Sequence, residues 1–100
     1  MQEELIGYVG VDSGTMYLGD PCYISSDKRL HSNKGWKRFC EEVLWTHQFR
    51  DNGNTVVDKQ TAVVTDTAYG DGIYPVYAIK TSEGRTASVT IVFTDEDEEQ

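Results

Sequence analysis

Residues 73–93 read IYPVYAIKTSEGRTASVTIVF and contain the clearest strand pattern in the chain. Its two β-prone runs, 73–79 and 86–93, are rich in β-branched and aromatic residues, which favour strands. Apolar and polar residues alternate along the second run, as they do in a strand with one buried face. The polar segment 82–85 contains a glycine and joins the two runs. We therefore predict an antiparallel hairpin at this end of the chain.

The N-terminal part of the chain contains two more β-prone runs, residues 5–11 and 15–18. The segment 12–14 between them is Asp-Ser-Gly, whose residues tolerate the positive φ of tight turns. This pattern predicts an opening hairpin. The Asp20-Pro21 pair then ends the second strand, because proline donates no backbone hydrogen bond, and residues 22–31 are predicted as a loop.

Residues 33–46 carry apolar side chains at spacings of three and four, which is typical of one face of an amphipathic helix. These residues are Trp36, Phe39, Cys40, Val43 and Leu44. Basic residues lie near the start of this segment and acidic residues near its end, against the helix macrodipole. The basic start is a candidate anion site, with solvated lysines as the alternative.

The segment 51–54, Asp-Asn-Gly-Asn, is a strong turn signal that leaves two alternatives open. It either caps the helix or joins two strands as a hairpin. Valines recur in the segment 55–66 that follows and indicate further strands. Together these segments predict an α+β fold, with an antiparallel sheet of five or six strands and one helix packed on one face of the sheet.

The length of 100 residues is that of one domain. We predict a single globular domain over residues 1–94 and a disordered acidic tail over 95–100, because 95–99 are five consecutive acids with no apolar partner. The net charge is −8, and it is −3 without those five acids. Such a charge disfavours direct binding of nucleic acid phosphates.

The sequence gives no sign of membrane insertion or of secretion. No apolar run approaches the roughly 20 residues that a membrane-spanning helix needs, and the N-terminus is acidic. The two cysteines form no Cys-x-x-Cys pair and no disulfide framework. A cytoplasmic location is therefore expected.

Two turn segments combine glycine, aspartate and tyrosine in a way that suits a ligand pocket. Glycine lets a ligand approach the backbone, aspartate accepts hydrogen bonds, and tyrosine offers a ring face with a polar tip. The candidate ligand-binding residues are Asp20, Tyr23, Tyr69, Asp71 and Tyr74. In the alternative interpretation the aspartates cap their own turns and the tyrosines fill the core and its rim.

Catalytic, metal and cofactor sites find no specific support in the sequence. The aspartates do not follow EF-hand spacing. The cysteines and histidines are separated by nine, nine and seven positions, which matches no zinc-finger pattern. No Gly-x-Ser-x-Gly motif is present. We predict no catalytic residue, no metal and no cofactor.

The same two segments carry a resemblance to known proteins. Residues 19–23 read GDPCY and residues 70–77 read GDGIYPVY, and these blocks resemble those of short uncharacterised proteins of bacteria and their phages. The second block is also similar to the C-terminal part of a bacterial domain-of-unknown-function family. The resemblance implies a β-rich fold and a phage or bacterial setting, and it brings no assigned activity.

These observations favour a non-catalytic binding module for a small molecule or a protein partner. One alternative is a small acidic inhibitor of a host protein that acts in defence or binds nucleic acid, with acidic surface imitating nucleic acid. Another is a metal-dependent hydrolase that uses the aspartates.

Overall fold

A computed structural model describes residues 2–94 of the chain and shows an α+β fold with antiparallel strand pairing. The strands are β1 (Glu3–Val11), β2 (Thr15–Gly19), β3 (Asn54–Val57), β4 (Ala62–Asp66), β5 (Gly72–Lys80) and β6 (Thr86–Ile91). The helices are α1 (Pro21–Ser26), α2 (Asn33–Phe39) and α3 (His47–Asn52), with a 3₁₀ turn at Lys28–Leu30 and a π-helical turn at Cys40–Leu44.

The described residues divide into two compact units. The terminal unit consists of residues 2–14 and 67–94, and the internal unit of residues 15–66. Each unit contains one three-stranded antiparallel sheet. The predicted class and strand pairing are thus confirmed, but the strands form two sheets instead of one sheet of five or six. The five consecutive acids predicted as a tail lie outside the described residues.

The terminal unit has the strand order β1-β5-β6. The predicted C-terminal hairpin is confirmed, since β5 pairs with β6 and Val76 lies opposite Ile91. The turn between the two strands closes through the Thr81 N–H, which donates to the Arg85 carbonyl over 2.7 Å. Gly84 has a φ of 85°, a conformation that glycine adopts without a steric penalty.

The predicted opening hairpin is wrong. β1 pairs with β5, and β2 pairs with β4 in the other sheet. The segment between β1 and β2 does turn sharply, with Gly14 at a φ of 77°, and the Gly14 carbonyl accepts a hydrogen bond from Thr67. A turn signal therefore fixed the local bend, but long-range pairing of two nine-residue strands decided the partner of β1.

The internal unit has the strand order β2-β4-β3. Its hydrophobic core lies between this sheet and the helical segment that starts with α2. The buried members of that core are Phe39, Val43, Val57, Ala62 and Val64. Burial of one valine or phenylalanine side chain contributes roughly 1.5–3 kcal/mol to folding, so this cluster holds the helical segment on the sheet.

The helix predicted over residues 33–46 is found in part. Ser32 caps α2, which ends at Phe39, and the chain continues as the π-helical turn to Leu44. The Trp45 N–H donates to the Cys40 carbonyl over 2.7 Å, which closes that wider turn. Thr46 then caps α3, so a new helix begins where the predicted one ends.

The expectation of one helix is wrong, because the structure contains α1 and α3 in addition to α2. The predicted loop 22–31 contains α1 and the 3₁₀ turn. Asp20 is the N-cap of α1 and Pro21 is its first residue. Both residue types are favoured at these positions, so the pair that ends a strand also begins a helix.

The segment 51–54 is a helix cap. Gly53 ends α3 with a φ of 77° and a left-handed conformation, and its N–H donates to the Phe49 carbonyl. β3 begins at the next residue, Asn54. Of the two alternatives that the sequence leaves open, the glycine C-cap is therefore correct.

Candidate ligand-binding site

The internal unit contains a buried arginine, Arg29, which is only 9% exposed. Its Nε donates to Asp27 Oδ1 over 2.9 Å, its Nη1 to Glu42 Oε1 over 2.9 Å, and its Nη2 to Asp58 Oδ2 over 2.7 Å. Three carboxylates from three separate segments of the chain thus share one guanidinium. We call these four residues the Arg29 network.

Local structure before α2 orients the arginine. Asp27 is the N-cap of the 3₁₀ turn and accepts a hydrogen bond from the Arg29 backbone N–H over 3.0 Å. The same carboxylate holds the guanidinium, with Asp27 Oδ2 2.7 Å from Arg29 Nη2. Two parallel bonds of this kind fix the plane of an arginine side chain. Asp27 therefore sets both the backbone and the side chain of Arg29.

An aromatic cluster lies beneath the guanidinium. The Cζ atom of Arg29 lies 5.2 Å from the centroid of the Phe39 ring, within the range of a cation–π contact. The rings of Tyr17 and Trp36 lie 6.0 and 5.4 Å from that of Phe39. The network thus rests on the hydrophobic core of its own unit.

The turn between β3 and β4 has an unusual backbone. Asp58, Lys59 and Gln60 have φ values of 42°, 60° and 76°. Residues other than glycine pay of order 1–3 kcal/mol for such a conformation, and such strain clusters at functional sites. The turn is closed by the Thr61 N–H, which donates to the Val57 carbonyl over 3.0 Å. This strained turn presents Asp58 to Arg29.

The ion pairs shift the pKa values of Asp27, Glu42 and Arg29. The hydrogen bond from Arg29 lowers the pKa of Asp27, and bonds from Arg38 and Arg29 lower the pKa of Glu42. The carboxylates raise the pKa of Arg29 in return, the Asp27 hydrogen bond most of all. Burial, then the charge of Asp27, raises the pKa of Tyr17. At neutral pH the two carboxylates are ionised and the Tyr17 hydroxyl keeps its proton.

A cavity of about 470 Å³ opens beside the network, within the usual size range of small-molecule sites. We call it the Arg29 cleft. Its lining combines three basic residues, three acidic residues, two tyrosines and two hydroxyl side chains. They are Lys28, Arg29, Arg38, Asp27, Glu42, Asp58, Tyr17, Tyr23, Ser26 and Thr61. The three positive and three negative charges balance, so the cleft offers hydrogen-bond donors, acceptors and ring surface but carries no net charge.

A second cavity of about 280 Å³ shares three residues with the Arg29 cleft. Its lining is Lys28, Arg29, Ser32, Lys34, Gly35 and Arg38. Four of these six residues are basic and none is acidic, so we call it the basic cavity. Arg29 thus lines both a charge-balanced cleft and a cationic cavity in the internal unit.

Of the residues predicted as ligand-binding, Asp20 and Tyr23 belong to the internal unit. Asp20 Oδ1 accepts a hydrogen bond from the Cys22 N–H over 2.8 Å as the cap of α1. The structure therefore gives Asp20 the capping role that was the alternative interpretation. Tyr23, 51% exposed, lines the Arg29 cleft and could contact a ligand there.

The other predicted residues, Tyr69, Asp71 and Tyr74, belong to the terminal unit. The Tyr74 hydroxyl donates to the Gly70 carbonyl over 2.7 Å, and its ring meets that of Phe93 edge to face. Tyr74 thus closes the glycine-rich segment before β5. A pocket shared by all five predicted residues stays a prediction, since they are divided between the two units.

No group of three or more potential metal ligands gathers within residues 2–94. Cys40 is buried and Cys22 is exposed. His31 Nε2 lies 3.1 Å from the Ser25 carbonyl oxygen. No helix in the described part of the chain is long and apolar enough to cross a membrane.

The sequence alone does not predict the complete Arg29 network. One local signal was present: an aspartate two positions before an arginine can cap a turn and bind that arginine at once. Glu42 and Asp58 lie 13 and 29 positions from Arg29. No local pattern connects residues at such separations.

Comparisons of the chain with protein-family models, with curated proteins and with solved structures find no match. The resemblance to bacterial and phage proteins therefore stays a prediction. The geometry of the internal unit carries the functional argument.

Proposed function

We propose that this chain is a non-catalytic binding module that holds a small polar molecule in the Arg29 cleft. The observation that carries the proposal is a buried arginine whose three carboxylate partners come from separate segments around an open cavity. Perturbed ionisable groups beside a cavity are a recognised mark of functional sites.

The strained turn at Asp58 supports the same proposal. A chain keeps such a conformation where the surroundings enforce it, and binding sites are common among such places. Asp58 holds Arg29 with Oδ2, and its side chain remains 59% exposed. An exposed carboxylate in a fixed position suits a ligand hydroxyl or amine.

The chemistry of the network favours binding over acid–base catalysis. A general acid or base works best with a pKa near the working pH. Asp27 and Glu42 are shifted away from neutrality by their arginine partners. Both carboxylates are engaged by guanidinium groups and are therefore poor proton carriers.

The proposal is tested by a thermal-shift screen of small polar metabolites followed by affinity measurements on variants. A bound compound raises the melting temperature. Tyr23→Ala should weaken binding, because Tyr23 lines the cleft, and the unfolding transition should stay cooperative. Tyr8→Ala is the matched control: this tyrosine is exposed and lies on β1 in the terminal unit.

A third variant, Tyr69→Ala, separates the Arg29 cleft from the pocket predicted from the sequence. Loss of affinity in Tyr23→Ala alone supports the cleft. Loss in both Tyr23→Ala and Tyr69→Ala contradicts a site confined to the Arg29 cleft. An affinity unchanged in Tyr23→Ala contradicts the proposed cleft.

A second proposal, an acidic inhibitor of a host protein in the cytoplasm, is supported by the net charge of −8 and the five consecutive acids at 95–99. Deletion of residues 95–100 should then weaken binding to a basic partner and reduce its salt dependence. An unchanged affinity would contradict it.

A further inference from the structure

The basic cavity concentrates positive charge in a chain whose net charge is −8. Lys28, Arg29, Lys34 and Arg38 line it, and its two other lining residues are uncharged. Cationic side chains that converge on one cavity repel one another, and a bound anion lowers that repulsion.

The four cations differ in how far carboxylates already neutralise them. Arg29 is held by the three carboxylates of its network, and Arg38 Nε lies 3.0 Å from Glu42 Oε2. Within residues 2–94, no carboxylate lies within ion-pair distance of Lys28 or Lys34. Two ammonium groups are thus available to a bound anion.

Two backbone N–H groups at the start of α2, those of Gly35 and Trp36, are already engaged within the helix. The Gly35 N–H donates to Ser32 Oγ over 3.0 Å, and the Trp36 N–H donates to the Ser32 carbonyl over 2.8 Å. The lysine and arginine side chains that line the cavity would supply the charge that binds an anion.

The basic cavity and the Arg29 cleft share Lys28, Arg29 and Arg38. One ligand could therefore place an anionic group in the basic cavity and its remaining part in the cleft. There Tyr17 and Tyr23 offer ring surface, and the exposed Asp58 carboxylate can accept hydrogen bonds from hydroxyl or amine groups.

We propose that the ligand of this module is a small phosphomonoester, with its phosphate in the basic cavity and its hydroxyl-bearing part in the Arg29 cleft. This inference rests on the proposed function. A phosphomonoester carries about −1.5 to −2 charge at neutral pH and three acceptor oxygens. Two available ammonium groups match that charge better than the single charge of a carboxylate.

The test is a titration of the isotopically labelled chain, followed by backbone amide NMR at constant ionic strength. The probes are ribose 5-phosphate and adenosine monophosphate, each beside its neutral counterpart, ribose and adenosine. At least one phosphomonoester should bind at least tenfold more tightly than its counterpart and shift amide signals around Lys34. Equal affinity for the charged and neutral members of both pairs would overturn the inference.

Matched lysine variants locate the phosphate. Lys34→Gln removes one available ammonium group from the basic cavity and should weaken phosphomonoester binding about tenfold. Lys37→Gln removes the same charge from the same helix, but Lys37 lines neither cavity. This variant should therefore bind phosphomonoesters with the wild-type affinity. Equal losses in the two variants would indicate a general charge effect and overturn the site.

Tyr23→Ala separates this inference from the proposed function. If ribose or adenosine binds in a Tyr23-dependent manner without any preference for phosphate, the binding module stands and the phosphate inference fails. If phosphomonoesters bind in a Lys34-dependent manner but Tyr23→Ala has no effect, the basic cavity stands and the Arg29 cleft fails as the site of the remaining part.

Discussion

The Arg29 guanidinium donates through Nη2 to Asp58 Oδ2 over 2.7 Å, although the two residues are 29 positions apart in the sequence. This bond connects the 3₁₀ turn before α2 with the strained turn between β3 and β4. Both turns border the Arg29 cleft. The same interaction therefore contributes to stability and to the shape of the proposed site.

Replacement of this arginine should destabilise the chain. Arg29→Met keeps most of the side-chain volume but leaves Asp27, whose side chain is 14% exposed, without its ionic partner. An unpaired, largely buried carboxylate is costly, and we expect a loss of about 2 kcal/mol in the free energy of unfolding. Urea denaturation at pH 7 measures this loss.

Arg38→Met is the matched control. Arg38 is largely exposed and has Glu42 as its ionic partner, and exposed ion pairs contribute little to stability. Its denaturation midpoint should stay close to that of the wild type. Equal losses in the two variants would show that the buried network has no special role in stability.

The stability of the chain should fall in acid because of Asp27. The hydrogen bond from Arg29 lowers the pKa of Asp27 below its ordinary value of 3.8 in the folded state. The unfolded state then takes up this proton first, so the stabilisation is present above about pH 4 and is lost as the pH falls through the lower folded pKa. Urea denaturation between pH 7 and pH 2.5 follows this loss.

Asp27→Asn removes the titrating group and should flatten the acid part of the profile. Arg29→Met should flatten it too, because Asp27 then lacks the donor that lowers its pKa. If both variants lost stability with falling pH as steeply as the wild type, other carboxylates would be responsible for the acid sensitivity.

The elements that depend on nearby residues could be predicted from the sequence. Alternation and a polar glycine-containing turn identified the β5–β6 hairpin, because adjacent strands with a tight turn need little loop-closure entropy. The helical segment from Asn33 followed from the spacing of its apolar residues. Its change into a π-helical turn after Phe39 left no signal in that spacing.

The elements that depend on distant residues could not be predicted. The turn before Thr15 reads as a hairpin, but β1 and β2 have their partners on β5 and β4, far along the chain. The candidate site also depends on distant residues, and those residues could not be predicted either. Tyr23 is predicted from the turn segment that contains it, whereas Glu42 and Asp58 are defined only by their contacts with Arg29.

A substitution that improves helix propensity should nevertheless destabilise the chain at Gly35. Alanine is favoured over glycine by about 1 kcal/mol in a helix interior. A Cβ at Gly35 would lie 2.8 Å from Arg29 Cα and 2.8 Å from the Lys28 carbonyl oxygen, both backbone atoms. The close contact of the added methyl group with these backbone atoms should outweigh the gain in helix propensity. We therefore expect Gly35→Ala to lower the free energy of unfolding by at least about 1 kcal/mol.

Gly10→Ala is the control for this prediction, because nothing lies within 4 Å of a Cβ at that position. It should leave the denaturation midpoint at or above the wild-type value. If Gly35→Ala were stabilising, the 3₁₀ turn would have room to move away from α2, and the close packing of the two would not be required.

The strained turn should respond to glycine at Lys59, which has a φ of 60°. Lys59→Gly relieves the steric cost of the left-handed conformation but increases the freedom of the unfolded chain. Lys59→Ala removes the same side chain and retains the strain. We expect the free energy of unfolding, measured by urea denaturation, to be about 0.5–1 kcal/mol higher for Lys59→Gly than for Lys59→Ala.

The same pair of variants shows whether the strain serves binding. Glycine loosens the backbone next to Asp58, so this carboxylate is held less firmly beside the Arg29 cleft. A ligand that contacts Asp58 should bind more weakly to Lys59→Gly than to Lys59→Ala, even though the glycine variant is the more stable one. Higher stability with an equal affinity would mean that the strain at this turn has no function in ligand binding.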